Sequence, residues 1–285
     1  MGGGSYSYFS ASSRAADRVD MSAKEIFKSR SMNQKMNICD KIRECCDSDE
    51  HPNTLPIIIA LDVTGSMGRI PENLIKGGFA EIMNSIYEAG VVDPQVCFLG
   101  IGDPIYDDAP LQVAQFETSD QTLDEWLEAM WIEGGGGGNN FEGYILSWYF
   151  AARHTSCDAI TKRGQKGILI TIGDEKVTPK LTKSQIKDIF GDTVQDDISC
   201  EDLFTEVSEN WNTYHISMAY RKGDSFLQSW NFLGDNHVII DRKPENAIDA
   251  IVNIVKNHSN SDSVTSTISV TPTTVSESSE SSEIL

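Results

Sequence analysis

An aspartate and two hydroxyl residues follow the most apolar run of the sequence. In the stretch IIIALDVTGSMG, residues 57–68, five apolar residues precede Asp62, Thr64 and Ser66, and two glycines allow a tight backbone path. One carboxylate and two hydroxyls offer only oxygen ligands, which small hard cations such as Mg²⁺ prefer. The stretch therefore predicts a cation-binding loop, although an aspartate before a glycine-rich loop also commonly caps a turn.

A second apolar run ends in the same way. The stretch KGILITIGD, residues 166–174, reads as a buried strand that ends at Asp174. Because the carboxyl ends of parallel strands meet at one edge of a sheet, we expect Asp62 and Asp174 to converge there. Three aspartates that follow another strand are expected to be solvated residues at the rim of this site: Asp103, Asp107 and Asp108.

The elements that would position these residues alternate along the chain. Apolar runs predict strands at 57–61, 94–102, 166–174, 212–220 and 237–241, and an alternating edge strand at 111–117 that forms a hairpin with the strand before it. Helical periodicity predicts helices at 71–88, 119–133, 141–154, 182–190, 200–209 and 244–258. This order predicts the α/β class: a doubly wound, mostly parallel sheet with one antiparallel edge strand and helices on both faces.

Three regions are predicted from composition. Residues 1–52 read as a polar N-terminal arm, partly helical or disordered, with an amphipathic stretch at 22–45. Residues 53–258 read as one domain. Residues 259–285 form a Ser/Thr-rich tail that we expect to be disordered.

Charge and cysteine usage exclude several classes of function. The formal net charge is −20, from 23 Lys and Arg against 43 Asp and Glu, which disfavours binding to nucleic acid or to an anionic membrane. The six cysteines form no CxxC pair and are expected to be reduced thiols. No stretch has the pattern of a signal peptide or a membrane span, so we expect a cytoplasmic protein.

The loop DVTGS resembles the DxSxS signature of von Willebrand factor A (VWA) domains over residues 55–258 of this chain. In that family, a metal-ion-dependent adhesion site (MIDAS) takes one aspartate and two hydroxyls from the first strand and its loop. The resemblance assigns these roles to Asp62, Thr64 and Ser66. It assigns the later aspartate, which holds the ion through water, to Asp174.

Two positions depart from the family pattern. Thr64 stands where serine is usual, which keeps the hydroxyl. The usual threonine ligand has no identical counterpart, and the stretch GGGGGNNFE offers an amide instead. Asn139 is chosen because Glu142 then falls where the next helix begins, with Asn140 as the alternative if the alignment slips by one residue.

The function implied by this resemblance is a non-enzymatic adaptor or scaffold. The bound ion, Mg²⁺ with Mn²⁺ or Ca²⁺ as alternatives, would keep one coordination position for an Asp or Glu of a protein partner. The predicted cytoplasmic location makes the chain look more similar to prokaryotic or phage intracellular members than to secreted adhesion proteins.

Two other functions remain open. A haloacid-dehalogenase-like phosphatase would use Asp62 as nucleophile and Lys162 or Lys166 to bind phosphate, but Thr64 stands where that chemistry needs a second aspartate for proton transfer. In the other alternative, the chain has the same fold but binds no metal, and it is a structural subunit of an assembly.

Overall fold

The computed structural model describes residues 3–27, 29–134, 140–221 and 224–266. Within these residues the strands are β1 (Arg43–Cys45), β2 (Thr54–Asp62), β3 (Asp93–Ile101), β4 (Leu111–Val113), β5 (Phe141–Glu142), β6 (Thr155–Cys157), β7 (Gly167–Gly173), β8 (Lys176–Val177), β9 (Lys180–Leu181), β10 (Ile198–Ser199), β11 (Trp211–Ala219) and β12 (His237–Asp241).

The α-helices are α1 (Tyr8–Arg18), α2 (Ala23–Ile26), α3 (Ile70–Asn73), α4 (Phe79–Glu88), α5 (Asp120–Ala129), α6 (Tyr144–Arg153), α7 (Asp158–Arg163), α8 (Lys183–Phe190), α9 (Cys200–Ser208) and α10 (Pro244–Ser266). A π-helical segment, Leu74–Gly78, joins α3 to α4. Two segments are 3₁₀-helical: Gly65–Met67 and Ser225–Asn236.

The central sheet has the strand order β12-β11-β7-β2-β3-β4. All neighbouring strands are parallel except β3 and β4, which pair antiparallel through Leu99↔Val113 and Ile101↔Leu111. Helices pack against this sheet, as in doubly wound proteins. The predicted fold class, a mostly parallel sheet with one antiparallel edge strand, is confirmed.

Burial explains why these strands lie in the middle of the sheet. Every residue of β2, β3 and β7 is buried, as expected of parallel strands that are covered on both faces. Helix α6 contacts β2, β3 and β7, and its aromatic residues pack in the core: Tyr144, Trp148, Tyr149 and Phe150 are fully buried.

The edge strand differs from its predicted pattern. Alternation over 111–117 predicted an edge strand of seven residues, but β4 has only three, all of them buried, and β3 pairs again with this segment at a single bridge between Val96 and Glu117. Gln112 is buried because its side-chain amide exchanges two hydrogen bonds of 2.9 Å with the backbone of Trp131. The backbone of Met36 accepts a hydrogen bond from Val113, so the N-terminal region covers this edge.

The N-terminal region packs on the sheet domain. Arg14 and Arg18 of α1 form ion pairs with three acidic residues of α5, and Tyr6 stacks on Tyr87 of α4 with ring centroids 5.5 Å apart. Of the amphipathic stretch 22–45, only the short helix α2 is helical, and strand β1 pairs with β6. The proposed boundary at residue 52 stays a prediction.

At the other end, α10 continues to Ser266, beyond the predicted end of the last helix and domain at His258. The predicted boundary at residue 258 and the expected disorder of 259–285 stay predictions, and residues 267–285 lie outside the described residues. None of the helices within the described part of the chain is long and apolar enough to cross a membrane.

Candidate functional site

The point where strand order reverses lies between β2 and β7. From β2 the chain first builds outward through β3 and β4, and then outward on the other side through β7, β11 and β12. Open α/β sheets bind ligands at the carboxyl edge of such a switch point. Asp62 ends β2 and Asp174 directly follows β7, and the register Leu61↔Ile172 places them side by side. The predicted convergence of these two carboxylates is therefore present.

A continuous chain of hydrogen bonds joins four of the five predicted ligands. The backbone N–H and the hydroxyl of Thr64 both donate to Asp62 Oδ1, at 2.9 and 2.6 Å. Thr64 Oγ1 lies 3.1 Å from Ser66 Oγ, and Ser66 Oγ donates to Asp174 Oδ1 at 2.7 Å. Asp62 also caps the turn of its own loop, so the turn-capping role and the proposed metal role involve the same atoms.

Spacing and exposure of these oxygens fit a small divalent cation. In an octahedral site with ligand distances of about 2.1 Å, neighbouring oxygens lie about 3 Å apart, and the links along the chain measure 2.6 to 3.1 Å. Asp62 and Thr64 are buried whereas Ser66 is exposed, so the site opens to solvent on the Ser66 side. The donor set of two carboxylates and two hydroxyls suits Mg²⁺ or Mn²⁺.

Tyr144 encloses the buried end of the site and is the first site residue that the sequence analysis did not identify. Its hydroxyl donates to Asp62 Oδ2 at 2.8 Å and accepts from the backbone N–H of Glu175 at 3.3 Å. The ring packs edge-on against His215 and Trp230, with centroids 5.0 and 5.2 Å away. Tyr144 therefore positions the Asp62 carboxylate from behind.

Burial governs the charge state of Asp62. The carboxyl is fully enclosed, and this burial raises its pKa to about 7, with a further upward contribution from nearby Asp174. The hydrogen bonds from Thr64 and Tyr144 oppose that rise because they stabilise the carboxylate. A carboxylate held in this way is costly without a cation, which is the condition expected of a metal ligand.

Two further buried acids, Asp103 and Glu142, belong to the surroundings of Asp62. Asp103 was expected to be a solvated rim residue, but it is fully buried because its Oδ1 accepts from the backbone of Ile105 and its own backbone donates to Asp107. Glu142 is also buried, and burial together with the charges of Asp62 and Asp103 raises its pKa to about 10. Within the described residues, Asp103 Oδ2 and Glu142 Oε2 are buried without a hydrogen-bond partner.

Of the two candidate amide ligands, Asn139 and Asn140, the structure describes only Asn140. Asn139 lies outside the described residues. Asn140 is exposed, has a left-handed backbone with φ of 57°, and lines a cleft of about 600 Å³ beside Asp174. Over residues 3–27, 29–134, 140–221 and 224–266, no group of three or more His, Cys, Asp or Glu side chains is arranged to hold a metal. The candidate site therefore depends on its two hydroxyls as much as on its two carboxylates.

Arg242 is the second site residue that the sequence reading missed. It follows β12 at the same edge of the sheet, and its guanidinium donates to Asp174 Oδ2 and to the backbone carbonyl of Ser66. No local pattern marks it, since an arginine between a strand and a helix is common. It joins the cleft that Asn140 lines.

The two lysines of the phosphatase alternative do not reach Asp62. Lys162 pairs with Asp158 at 2.8 Å, and Lys166 donates to the Ser208 carbonyl at 2.7 Å. Lys166 precedes β7, so it lies at the amino edge of the sheet, opposite the edge that carries Asp62.

The Tyr144→Phe substitution is expected to lower the free energy of unfolding of the metal-free protein by about 1–3 kcal/mol, because Asp62 Oδ2 loses its buried donor. Urea unfolding in the presence of a chelator measures this effect. Tyr220→Phe is the matched control, since Tyr220 is 77% exposed at the same edge of the sheet, and its effect should be near zero. Equal stability of Tyr144→Phe and the parent chain would contradict the positioning role.

No family model matches this chain, and no curated protein matches it. Solved structures are similar to it in fold. The pilus adhesin SpaC from Lactobacillus rhamnosus GG, in its open conformation, aligns with 12% identity over 78% of this chain and 31% of its own, at a TM-score of 0.50.

Two further similar structures have lower scores. A von Willebrand factor type A protein from Catenulispora acidiphila aligns with 13% identity over 73% of this chain and 43% of its own, at a TM-score of 0.42. Proximal thread matrix protein 1 from the mussel byssus, with a zinc-occupied MIDAS motif, aligns with 12% identity over 75% of this chain and 48% of its own, at 0.43. This chain spans a third to a half of the length of these proteins, and at such identities the likeness concerns the fold alone.

Proposed function

We propose that this chain is a non-enzymatic, VWA-type protein-binding module that holds a divalent cation with Asp62, Thr64, Ser66 and Asp174. Mg²⁺ is the expected ion, with Mn²⁺ or Ca²⁺ as alternatives, and an amide from Asn139 or Asn140 would complete the set. The observation that carries the proposal is the hydrogen-bonded chain of oxygens that crosses the switch point from Asp62 to Asp174. The buried oxygens Asp103 Oδ2 and Glu142 Oε2 support it, because neither has a hydrogen-bond partner within the described residues, as is typical of polar atoms that a bound ion or its water completes.

The partner in this proposal is a protein that presents an Asp or Glu to the ion. The chain's own residues hold the ion from the buried side, which leaves the face at exposed Ser66 for an incoming carboxylate. Although the net charge is −20, three basic residues line the adjoining cleft and balance the three acidic residues there, so the local repulsion of an acidic partner is smaller than the net charge implies.

Exposed apolar side chains at the same edge favour a protein partner over a small anion. Ile105 and Tyr106 follow β3 and are 65% and 61% exposed, and Tyr220 follows β11. The same proposal places the chain in the cytoplasm, and the six free cysteines support that location. The proposed intracellular prokaryotic or phage origin is based only on the resemblance of the sequence to such family members.

The Ser66→Ala substitution tests the metal site, because it removes one hydroxyl ligand at an exposed position. Thermal unfolding is measured in chelator and then with Mg²⁺, Mn²⁺ or Ca²⁺. An ion that binds only the native state raises the midpoint by mass action, equivalent to about 2.7 kcal/mol at one hundred times its Kd. We expect a rise for the parent chain and for the control Ser208→Ala, whose serine ends α9 at the opposite edge, and a much smaller rise for Ser66→Ala.

The open coordination position is tested with Mn²⁺ as a paramagnetic probe. Water bound to Mn²⁺ relaxes rapidly, so a carboxylate that replaces this water should lower the relaxation rate of the solvent. We expect a short glutamate-containing peptide to do so, and the matching glutamine-containing peptide to have no effect. A parent chain whose midpoint ignores all three ions would contradict the metal-dependent function and favour the metal-free structural subunit.

A further inference from the structure

The guanidinium of Arg242 lies against two residues of the candidate metal site. It donates to Asp174 Oδ2 and to the carbonyl oxygen of Ser66, while the other oxygen of Asp174 accepts from the Ser66 hydroxyl. The side chains of Arg242 and Asp174 are only 10% and 8% exposed. The Asp174 carboxylate therefore accepts hydrogen bonds from two groups: the Ser66 hydroxyl, which would bind the ion, and the guanidinium of Arg242, which is itself a cation.

The strand register explains this position. Ala219 of β11 pairs with Asp241 of β12, so the next residues, Tyr220 and Arg242, leave the sheet side by side at its carboxyl edge. The guanidinium carbon lies 4.4 Å from the centroid of the Tyr220 ring, which holds the side chain over the site. The arrangement joins residues that are 68 and 176 positions apart in the sequence.

Charge makes this contact consequential for an ion. Asp62 and Asp174 are the two anionic members of the proposed ligand set, and Arg242 already neutralises one of them. A divalent cation at the Ser66 and Asp174 oxygens would lie close to the guanidinium, with little water between the charges because both side chains are nearly buried. The two cations therefore repel one another and compete for the same carboxylate.

We propose that Arg242 is a built-in counter-cation that competes with the divalent ion for Asp174 and so sets a low metal affinity in the parent chain. This inference rests on the proposed metal site and adds its regulation. Uptake of the ion is coupled to movement of the guanidinium away from Asp174. The cleft of about 600 Å³ that Arg242 itself lines gives the side chain room to move.

Competition predicts opposite effects on the two states of the protein. Without metal, Arg242→Gln loses an ion pair at a nearly buried carboxylate, so its unfolding midpoint in chelator should fall below that of the parent. With metal, the same variant loses the repulsion, and its affinity should rise. A residue that merely positioned Asp174 would lower both quantities together.

The measurement is the dissociation constant for Mn²⁺ alone, from the paramagnetic resonance signal of free Mn²⁺. We expect Arg242→Gln to bind at least tenfold more tightly than the parent. Arg242→Lys keeps the charge and should bind within threefold of the parent. Arg221→Gln removes a positive charge from the same cleft, but Arg221 is exposed and pairs with Asp224, so its effect should also be within threefold.

A second measurement uses the unmodified chain. The Nε–H resonance of Arg242, assigned by its absence in Arg242→Lys, should shift during titration with Mg²⁺ if the guanidinium leaves Asp174.

Equal or weaker Mn²⁺ binding by Arg242→Gln, or an unchanged resonance in a parent chain that binds Mg²⁺, would overturn the inference while leaving the metal site intact. Failure of both the parent and Arg242→Gln to bind Mn²⁺ would overturn the metal site and the inference together. Binding by Arg242→Gln alone would support the inference and would exclude metal-dependent function for the parent.

Discussion

The Asp62→Asn substitution is expected to abolish the response of this protein to divalent ions and to stabilise the metal-free chain at the same time. Asparagine keeps the shape of Asp62 and an acceptor for the backbone N–H of Thr64, but it lacks the charge that an ion requires. The charge is also what makes Asp62 costly to the apo fold, because the carboxylate is fully buried beside Asp174.

The gain in stability should depend on pH in a defined direction. Burial raises the pKa of Asp62 to about 7 in the folded protein, whereas an unfolded aspartate titrates near pH 4. Below pH 4 both states are protonated and no penalty exists. The penalty grows as the pH rises from about 4 to about 7 and is constant above that, at about 4 kcal/mol, from about three pKa units at about 1.4 kcal/mol each.

Urea unfolding of the two chains in chelator at pH 5 and pH 8 measures this difference. We expect Asp62→Asn to exceed the parent by more at pH 8 than at pH 5, and to show no rise in its thermal midpoint with Mn²⁺. Asp188→Asn, at an exposed position of α8, is the control and should behave as the parent does. The prediction fails if Asp62→Asn responds to Mn²⁺ as the parent does.

The second large effect is expected at Gly173, the last residue of β7. A Cβ placed on Gly173 would lie 1.9 Å from the hydroxyl of Tyr144 and 2.5 Å from two of its ring atoms. Tyr144 cannot retreat, since it is fully buried against His215 and Trp230 and its hydroxyl is fixed to Asp62. Gly173→Ala should therefore destabilise the protein by about 3 kcal/mol or more.

Urea unfolding also measures this effect, with Gly77→Ala as the matched control. Gly77 lies in the π-helical segment, and a Cβ there would meet nothing within 4 Å. The control should therefore be neutral or stabilising by up to about 1 kcal/mol. Adding Tyr144→Phe to Gly173→Ala should restore only part of the loss, because the ring atoms still clash. A Gly173→Ala chain as stable as the parent would show that Tyr144 is not held in place.

Local sequence determined the strands of the sheet and the loop chemistry. The apolar runs around Ile59 and Ile170 predicted fully buried parallel strands, because only such strands are apolar on both faces. Asp62, Thr64 and Ser66 come together through hydrogen bonds between residues two positions apart, so their spacing alone indicated their proximity. The position of Asp174 followed from the topology rule for carboxyl ends of strands.

Predictions that relied on solvent exposure were less successful. Asp103 was assigned to a solvated rim, and Gln112 stands at a polar position of the alternating edge strand, yet both are buried. In each case backbone groups satisfy the polar side chain: Ile105 donates to Asp103, and Trp131 pairs with Gln112. Alternation of residue types cannot reveal such partners, because a polar side chain can be buried wherever the fold supplies it with a hydrogen-bond partner.

The tertiary structure alone decided which residues surround the two predicted carboxylates. Tyr144 reaches Asp62 across 82 positions, and Arg242 reaches Asp174 across 68. By itself the sequence of α6 indicates an aromatic helix that packs on the sheet, and it does not indicate a contact with Asp62. Arg242 is an arginine between a strand and a helix, and its sequence context does not indicate a contact with Asp174. The sequence thus determined which oxygens are offered at the edge of the sheet, because that depends on local pattern. Their enclosure by Tyr144 and the pairing of Asp174 with Arg242 depend on strand order and register, which only the assembled sheet defines.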